Sequence, residues 1–240
     1  VMGKAAPIQE YRPLLTLTYL FHFATTGAAK WPMHLANIAL HTLVCCLLLT
    51  ALRRRMDEPA ALAAALLFAA MPVHTEVVSY ITSRSELLAA AAMLGAWLTL
   101  DERITNPRLA AGALLFCAGL LSKEHVILFP VFLALSDWIF HGVGLWEPRR
   151  RTIYAVLFSC VAAYLLLRLM LLSNPIHGGT PYFHGSRLIA ALTYSQFALR
   201  HYLWPSLTGS GLCSDYTRPL MPDAEPGSLA AWLALGAWAV

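Results

Sequence analysis

The stretch Trp31–Leu52 reads WPMHLANIALHTLVCCLLLTAL, and Arg53-Arg54-Arg55 follow it directly. A bilayer core about 30 Å thick is crossed by roughly 20 helical residues, because each residue of an α-helix advances about 1.5 Å. This apolar run has that length, and the three arginines give it an abrupt polar end. The sequence therefore predicts a membrane-spanning helix at this position.

The composition extends this prediction to the whole chain. Of its 240 residues, 58% are hydrophobic and only 12% are charged, and the mean hydropathy is +0.60. A soluble domain has about 25% charged residues, so this chain lacks the polar side chains needed to cover a globular surface. The net charge of +4 comes from short basic clusters in loops, a pattern that argues against nucleic-acid binding. We predict an all-α integral membrane protein that forms a multi-span helical bundle.

Further apolar runs follow along the chain. They are Ala60–Val73, Leu87–Leu100, Leu109–Leu121, Val126–Phe140 and, again at full length, Thr152–Ser173. The run Leu188–Leu203 contains polar residues and either spans the membrane at a tilt or lies in the interface. We expect residues 1–30 to form an outer-face interfacial segment and 31–240 a multi-pass bundle of about seven or eight spans. We also expect the sequence to be a fragment whose last span is truncated.

The charges of the loops predict the orientation of the bundle. Alternate loops are rich in arginine, whereas the loops between them hold one basic residue each. The basic groups are Arg53-Arg54-Arg55, Arg103 with Arg108, and Arg149-Arg150-Arg151. By the positive-inside rule, the arginine-rich loops are cytoplasmic.

The four middle runs are short, about 13–15 residues or roughly 20 Å of helix, and they end in polar sequences at the non-cytoplasmic side. Ionisable groups at membrane depth are costly and normally face water or each other. We therefore expect a recessed, hydrated pocket, with Arg168 of the later span at a similar depth. Its predicted lining is His74, Glu76, Arg84, Glu86, Lys123, Glu124 and His125. The alternative is that these charges lie in ordinary loops.

Polar residues inside or at the ends of spans have a more ordinary interpretation. His34, Asn37 and His41 lie on one face of the first span at helical spacing, and we expect them to form interhelical hydrogen bonds. Asp137 and Trp138 close a span near the cytoplasmic side, where we expect an interfacial anchor.

Five short motifs together resemble one protein family. They are Tyr11-Arg12-Pro13-Leu14, Trp31 with His34-Leu35-Ala36-Asn37 and His41, Pro72-Val73-His74-Thr75-Glu76, Ser83-Arg84-Ser85-Glu86-Leu87-Leu88, and Leu121-Ser122-Lys123-Glu124. In order and spacing they are similar to the membrane part of the transmembrane and tetratricopeptide-repeat O-mannosyltransferases and their bacterial relatives. The resemblance covers Tyr11 to about Asp137, with a weaker continuation from Ser186 to Tyr216.

This resemblance implies a GT-C glycosyltransferase fold that uses a polyprenyl-phosphate sugar donor and a protein acceptor at the outer face. The location would be the bacterial inner membrane or the endoplasmic reticulum. The family's acidic pair would lie upstream of Tyr11, and its repeats downstream of Val240. Neither is present in this sequence. We therefore expect the main catalytic base to lie outside the fragment and the fragment alone to be inactive.

Sugar transfer to a hydroxyl needs a carboxylate to accept the proton and cations to stabilise the leaving phosphate. Guanidinium groups bind phosphate through a two-donor fork, and lysine binds it as a point charge. The predicted donor-phosphate ligands are Arg12, Arg84, Lys123 and Arg168. The predicted catalytic groups are Glu76, His74 and Glu124, and the other pocket residues are Glu86 and His125. Arg168 could instead snorkel to the interface.

Other functional classes remain open from the sequence alone. A transporter would use the same charges as a substrate or proton path, but we find no inverted repeat of the kind that transporters carry. An inactive membrane scaffold is a further alternative. A divalent metal at His74, Glu76, Glu124 and His125 is possible, but their spacing matches no specific metal motif, so we predict no metal site.

The predicted orientation is testable by thiol labelling in intact cells. In a cysteine-free background, single cysteines near Asp57 or Glu147 should resist a membrane-impermeant thiol reagent, because the arginine-rich loops face the cytoplasm. A cysteine near Gly178 should react. The opposite labelling pattern would reverse the orientation and place the polar span ends in the cytoplasm.

Overall fold

The computed structural model describes residues 11–101, 105–142 and 148–171, with isolated positions at 192, 195 and 196 and the segment 198–203. Every regular element in these ranges is helical. The α-helices are α1 (Pro13–Thr26), α2 (Trp31–Leu52), α3 (Glu58–Ala70), α4 (His74–Ser79), α5 (Arg84–Leu100), α6 (Asn106–Leu120), α7 (Phe129–Ser136) and α8 (Pro148–Leu171). The prediction of a helical protein is thus confirmed for the described part of the chain.

The chain divides into two compact units. The first contains Val1–Ala69 with Val77–Ile176, and the second contains Ala70–Glu76 with His177–Val240. Nearly all of the described residues belong to the first unit. The predicted run Leu188–Leu203 lies largely outside the described residues, which include three isolated positions of it and its last turn, a π-helix at Ala198–Leu203.

Two described helices are long and apolar enough to cross a membrane. They are α2 and the part of α8 from Arg150 to Leu171, and α3 is a shorter apolar helix. The observed α2 has the bounds that its sequence predicts. Large apolar side chains on the outer faces of both helices are exposed, among them Ile38, Leu166 and Met170. Lipid would cover such side chains in a bilayer.

The predicted span Val126–Phe140 is helical throughout, but it is not one uninterrupted α-helix. A 3₁₀ segment (Glu124–Leu128) leads into α7, and a π-helix (Asp137–His141) follows it. Pro130 explains the first break, because proline has no N–H and its ring collides with the carbonyl four residues earlier. Proline is tolerated in the first turn, where it stands in α7. Gly142, with φ +62°, ends the π-helix in the left-handed conformation.

The core of the first unit forms where α5 and α6 pack closely. A Cβ added at Gly112 of α6 would lie 2.6 Å from Leu100 Cγ, so only glycine permits this approach. The fully buried side chains around the contact are Leu100, Phe116, Leu120, Val126, Phe129, Leu133, Ile153 and Leu157. Since α5 and α6 are consecutive and antiparallel, the start of α5 lies beside the end of α6.

A network of charges joins the other ends of these helices. Arg55 pairs with Asp101, and Arg150 pairs with Asp137 at 3.1 Å while donating to the Leu100 carbonyl at 2.8 Å. The Tyr154 hydroxyl donates to Asp137 at 2.6 Å. We call Arg55, Asp101, Asp137 and Arg150 the basic end. The predicted interfacial role of Asp137 is wrong, because its side chain is buried in this network; Trp138 is 68% exposed.

Candidate functional site

Polar residues from three parts of the first unit meet at the end of the bundle opposite the basic end. Arg12 directly precedes α1, Glu86 lies in the first turn of α5, and Lys123 to His125 follow α6. The backbone N–H of Leu14 donates to the Leu121 carbonyl at 3.2 Å, which fixes the start of α1 beside the end of α6.

The first ion pair of this site joins Arg12 to Glu124. Arg12 Nη2 lies 3.2 Å from Glu124 Oε1, and Arg12 Nε lies 3.4 Å from Oε2. The guanidinium thus presents two donors to the two carboxylate oxygens, as in a bidentate pair. The arginine side chain is 19% exposed and the glutamate side chain 44%, so water reaches the pair.

In the second ion pair, the Glu86 carboxylate contacts both Lys123 and His125. Lys123 Nζ bonds Glu86 Oε1, and His125 Nδ1 lies 3.8 Å from Glu86 Oε2. The side chains of Lys123, Glu86 and His125 are all partly exposed. We call Arg12, Glu86, Lys123, Glu124 and His125 the charged cluster. Four of these five residues were predicted to line the pocket, and Arg12 was predicted as a phosphate ligand.

The electrostatics of the charged cluster favour the ionised form of Glu124 and the neutral form of His125. Partial burial alone would raise the pKa of Glu124, but its hydrogen bonds with Arg12 and the backbone, with the charges of Arg12 and Arg168, bring the pKa below its ordinary value. Burial and the neighbouring charges of Lys123 and Arg12 lower the pKa of His125, against the opposing effect of Glu124. Near pH 7 the Glu124 carboxylate is therefore ionised and the His125 imidazole is neutral.

Arg168 was predicted to lie at a similar depth to the pocket. It stands in the last turn of α8 and donates from Nη1 to the Tyr164 hydroxyl at 3.2 Å. Its positive charge contributes, as the smallest of several causes, to the lowered pKa of Glu124. The role of Arg168 as a phosphate ligand stays a prediction.

Arg84 has a different environment from the one predicted. Its side chain is only 1% exposed, and it donates to Asn37 Oδ1 at 2.9 Å, to the Met33 carbonyl at 2.9 Å and to Thr18 Oγ1 at 3.3 Å. Its guanidinium carbon lies 5.2 Å from the centre of the Tyr19 ring. Because these donors point at protein acceptors inside the fold, the predicted phosphate contact of Arg84 is replaced by a structural role.

Asn37 is the partner that the sequence did identify. Its amide nitrogen donates to the carbonyls of Val78 and Tyr80, and its oxygen accepts from Arg84. The predicted interhelical hydrogen bonding of Asn37 is therefore confirmed. His41 stacks on Phe68 and contacts Cys45. The sequence did not predict the roles of Thr18 and Tyr19. Thr18 accepts a hydrogen bond from Arg84, and the Tyr19 hydroxyl donates to the Ile81 carbonyl at 2.8 Å. These partners are some 60 positions away, and no sequence spacing links them.

His74 and Glu76 begin α4 and belong to the second compact unit. Glu76 is exposed and His74 half-buried. They are not members of the charged cluster, and their catalytic role stays a prediction. Among the described residues, no group of three or more His, Cys, Asp or Glu side chains is placed to hold a metal ion.

Comparison with known proteins gives matches to several protein O-mannosyl-transferases. Mouse TMTC3 is 35% identical over 132 residues, which are 52% of this chain and 14% of the relative. Tmtc2 of Drosophila melanogaster is 31% identical over 177 residues, 69% of this chain and 19% of the relative. Human TMTC1 is 36% identical over 105 residues, 43% of this chain and 12% of the relative.

These matches show that the chain resembles the TMTC family. This confirms the family predicted from the five motifs. The match spans less than a fifth of the length of each of these TMTC relatives. No family model and no solved structure matches the chain. The family and the two membrane-capable helices together identify a membrane protein.

Replacing Arg84 separates its structural role from the chemistry of the charged cluster. Arg84→Ala should lower the free energy of unfolding by on the order of 3 kcal/mol, because it leaves buried acceptors without donors. Lys123→Ala should cost roughly 1 kcal/mol or less, because its ion pair is partly exposed. Denaturant unfolding in detergent micelles measures both, and Arg84→Lys should recover part of the loss. Equal stability of Arg84→Ala and wild type would contradict the structural role.

Proposed function

We propose that this chain is part of an integral-membrane glycosyltransferase of GT-C type. It transfers mannose from a polyprenyl-phosphate donor to a protein hydroxyl on the non-cytoplasmic face. The names of the TMTC relatives support the reaction class and a protein acceptor. The long apolar helices α2 and α8 support the use of a membrane-bound donor.

The observation that carries the proposal is that Arg12 and Lys123, from separate parts of the chain, meet at one accessible end of a membrane-capable bundle. A phosphate that leaves a sugar gains negative charge as the bond to C1 breaks. Cations already held in place stabilise that charge without reorganisation of solvent. Arg12 would supply a two-donor fork and Lys123 a point charge, while Arg168 would add to the positive potential.

The carboxylates of the site supply the second requirement of the reaction. The acceptor hydroxyl gives its proton to a carboxylate, its oxygen attacks C1 of the sugar, and the bond from C1 to the phosphate oxygen breaks. Glu124 is ionised near neutral pH, because Arg12 and its other partners lower the pKa of its carboxyl. We propose Glu124 as an acceptor-side group of the charged cluster. The catalytic roles of Glu76 and His74 are separate proposals that rest on the family resemblance alone.

The placement of the arginines supports the outward orientation of this site. Arg54 donates to the Leu98 carbonyl at 3.0 Å and Arg150 to that of Leu100, so two of the arginine-rich loops meet at the end of α5. Glu86 lies at the other end of the same helix, about 21 Å from Leu100 along the helix axis. With the basic end in the cytoplasm, the charged cluster faces outside.

Transfer assays on the full-length gene product test the proposal. Membranes that express it should move labelled mannose from a polyprenyl-phosphate mannose to a protein hydroxyl. Arg12→Ala and Lys123→Ala should each slow transfer roughly 30- to 1,000-fold, since one lost contact to the leaving phosphate is worth on the order of 2–4 kcal/mol. Lys123→Arg should recover only part of the rate.

Arg53→Ala is the matched control for these variants. Arg53 forms an ion pair with Glu58 at 2.7 Å beyond the end of α2, and both side chains are well exposed. Its removal should leave transfer unchanged. Wild-type rates in both Arg12→Ala and Lys123→Ala, at normal folded yield, would show that the charged cluster does not bind the donor phosphate.

A further inference from the structure

Each of the two cations in the charged cluster already has an anionic partner from the protein. Arg12 holds both oxygens of Glu124, and Lys123 holds one oxygen of Glu86. The cluster as described is therefore balanced, with two positive and two negative side chains. A phosphate that binds Arg12 and Lys123 has to take over contacts that these carboxylates now make.

We propose that Glu86 and Glu124 are internal competitors that occupy the anion site until a phosphate monoester displaces them. This inference rests on the proposed function and adds how the same site is regulated. The two carboxylates hold the cations in place when the site is empty of ligand. A phosphate binds Arg12 and Lys123 only if its contacts with them are stronger than those of the two carboxylates.

The geometry makes such an exchange feasible. A phosphate monoester presents oxygens in the same two-acceptor arrangement as a carboxylate, so the Arg12 fork fits either group. Both pairs are partly open to water, with Glu86 38% and Glu124 44% exposed, and pairs of this kind are weak. Each displaced carboxylate can turn toward solvent without burying an unpaired charge.

The cations need an anion when the carboxylates are absent. Arg12, Lys123 and Arg168 all act electrostatically on the short segment from Glu124 to His125. Positive charges close together repel one another, and a nearby negative charge offsets that repulsion. Either a protein carboxylate or a bound phosphate can supply this negative charge. Arg84 cannot take part in the exchange, because its guanidinium is buried among protein acceptors.

Binding of radiolabelled farnesyl phosphate to the purified full-length gene product in detergent micelles tests this inference. Glu86→Gln and Glu124→Gln should each bind the probe roughly threefold to tenfold more tightly, because one competing charge is removed while the shape is kept. Arg12→Gln and Lys123→Gln should bind it about tenfold more weakly or worse. Farnesol, which has no charge, should show none of these differences.

Glu58→Gln is the matched control, because Glu58 is also paired with an arginine but lies away from the charged cluster. Its affinity for the probe should equal that of the wild type. Unchanged or weaker binding by either glutamate variant, with a normal melting temperature, would overturn the competition. If Arg12→Gln and Lys123→Gln also bind normally, the proposed phosphate site itself is wrong, so the two failures are distinct. Should Glu86→Gln fail to fold, the more exposed Glu124→Gln decides the question.

Discussion

The Arg84 guanidinium lies inside the fold, where its donors have to be satisfied by protein acceptors rather than by water. Those acceptors come from two other helices, Thr18 from α1 and Asn37 with the Met33 carbonyl from α2. One side chain thus ties α1 and α2 to the first residue of α5. Arg12 directly precedes α1, and Glu86 follows Arg84 by two residues. The Arg84 contacts therefore also position Arg12 and Glu86, which are one member of each ion pair in the charged cluster.

The two ends of the bundle use charge in different ways. At the basic end, Asp137 and Arg150 are buried, and backbone carbonyls share their hydrogen bonds, so these charges stabilise the ends of α5, α7 and α8. At the other end, the side chains of both ion pairs are partly open to water. Buried, multiply bonded pairs are rigid, whereas exposed pairs exchange partners at small cost. The proposed ligand site is therefore at the exposed end.

The sequence predicted the elements whose physics is local. The bounds of α2 follow from its apolar length and the arginines after it, and Asn37 was found from helical spacing. The break before α7 was missed because the apolar pattern outweighed Pro130. Arg84 was misassigned because its position at the end of an apolar run does not reveal whether the side chain turns inward. Arg12 and Glu124 are 112 residues apart, and local sequence patterns do not predict their contact. The family resemblance placed both residues in motifs, but it did not predict that they pair.

The central claim is that the charged cluster is a phosphate site whose cations come from separate parts of the chain. Cryo-electron microscopy of the full-length gene product with a bound polyprenyl monophosphate tests it most directly. The account predicts phosphate density within about 3 Å of Arg12 and Lys123, with Glu86 and Glu124 turned away from them. Phosphate density elsewhere, with both ion pairs intact, would contradict it.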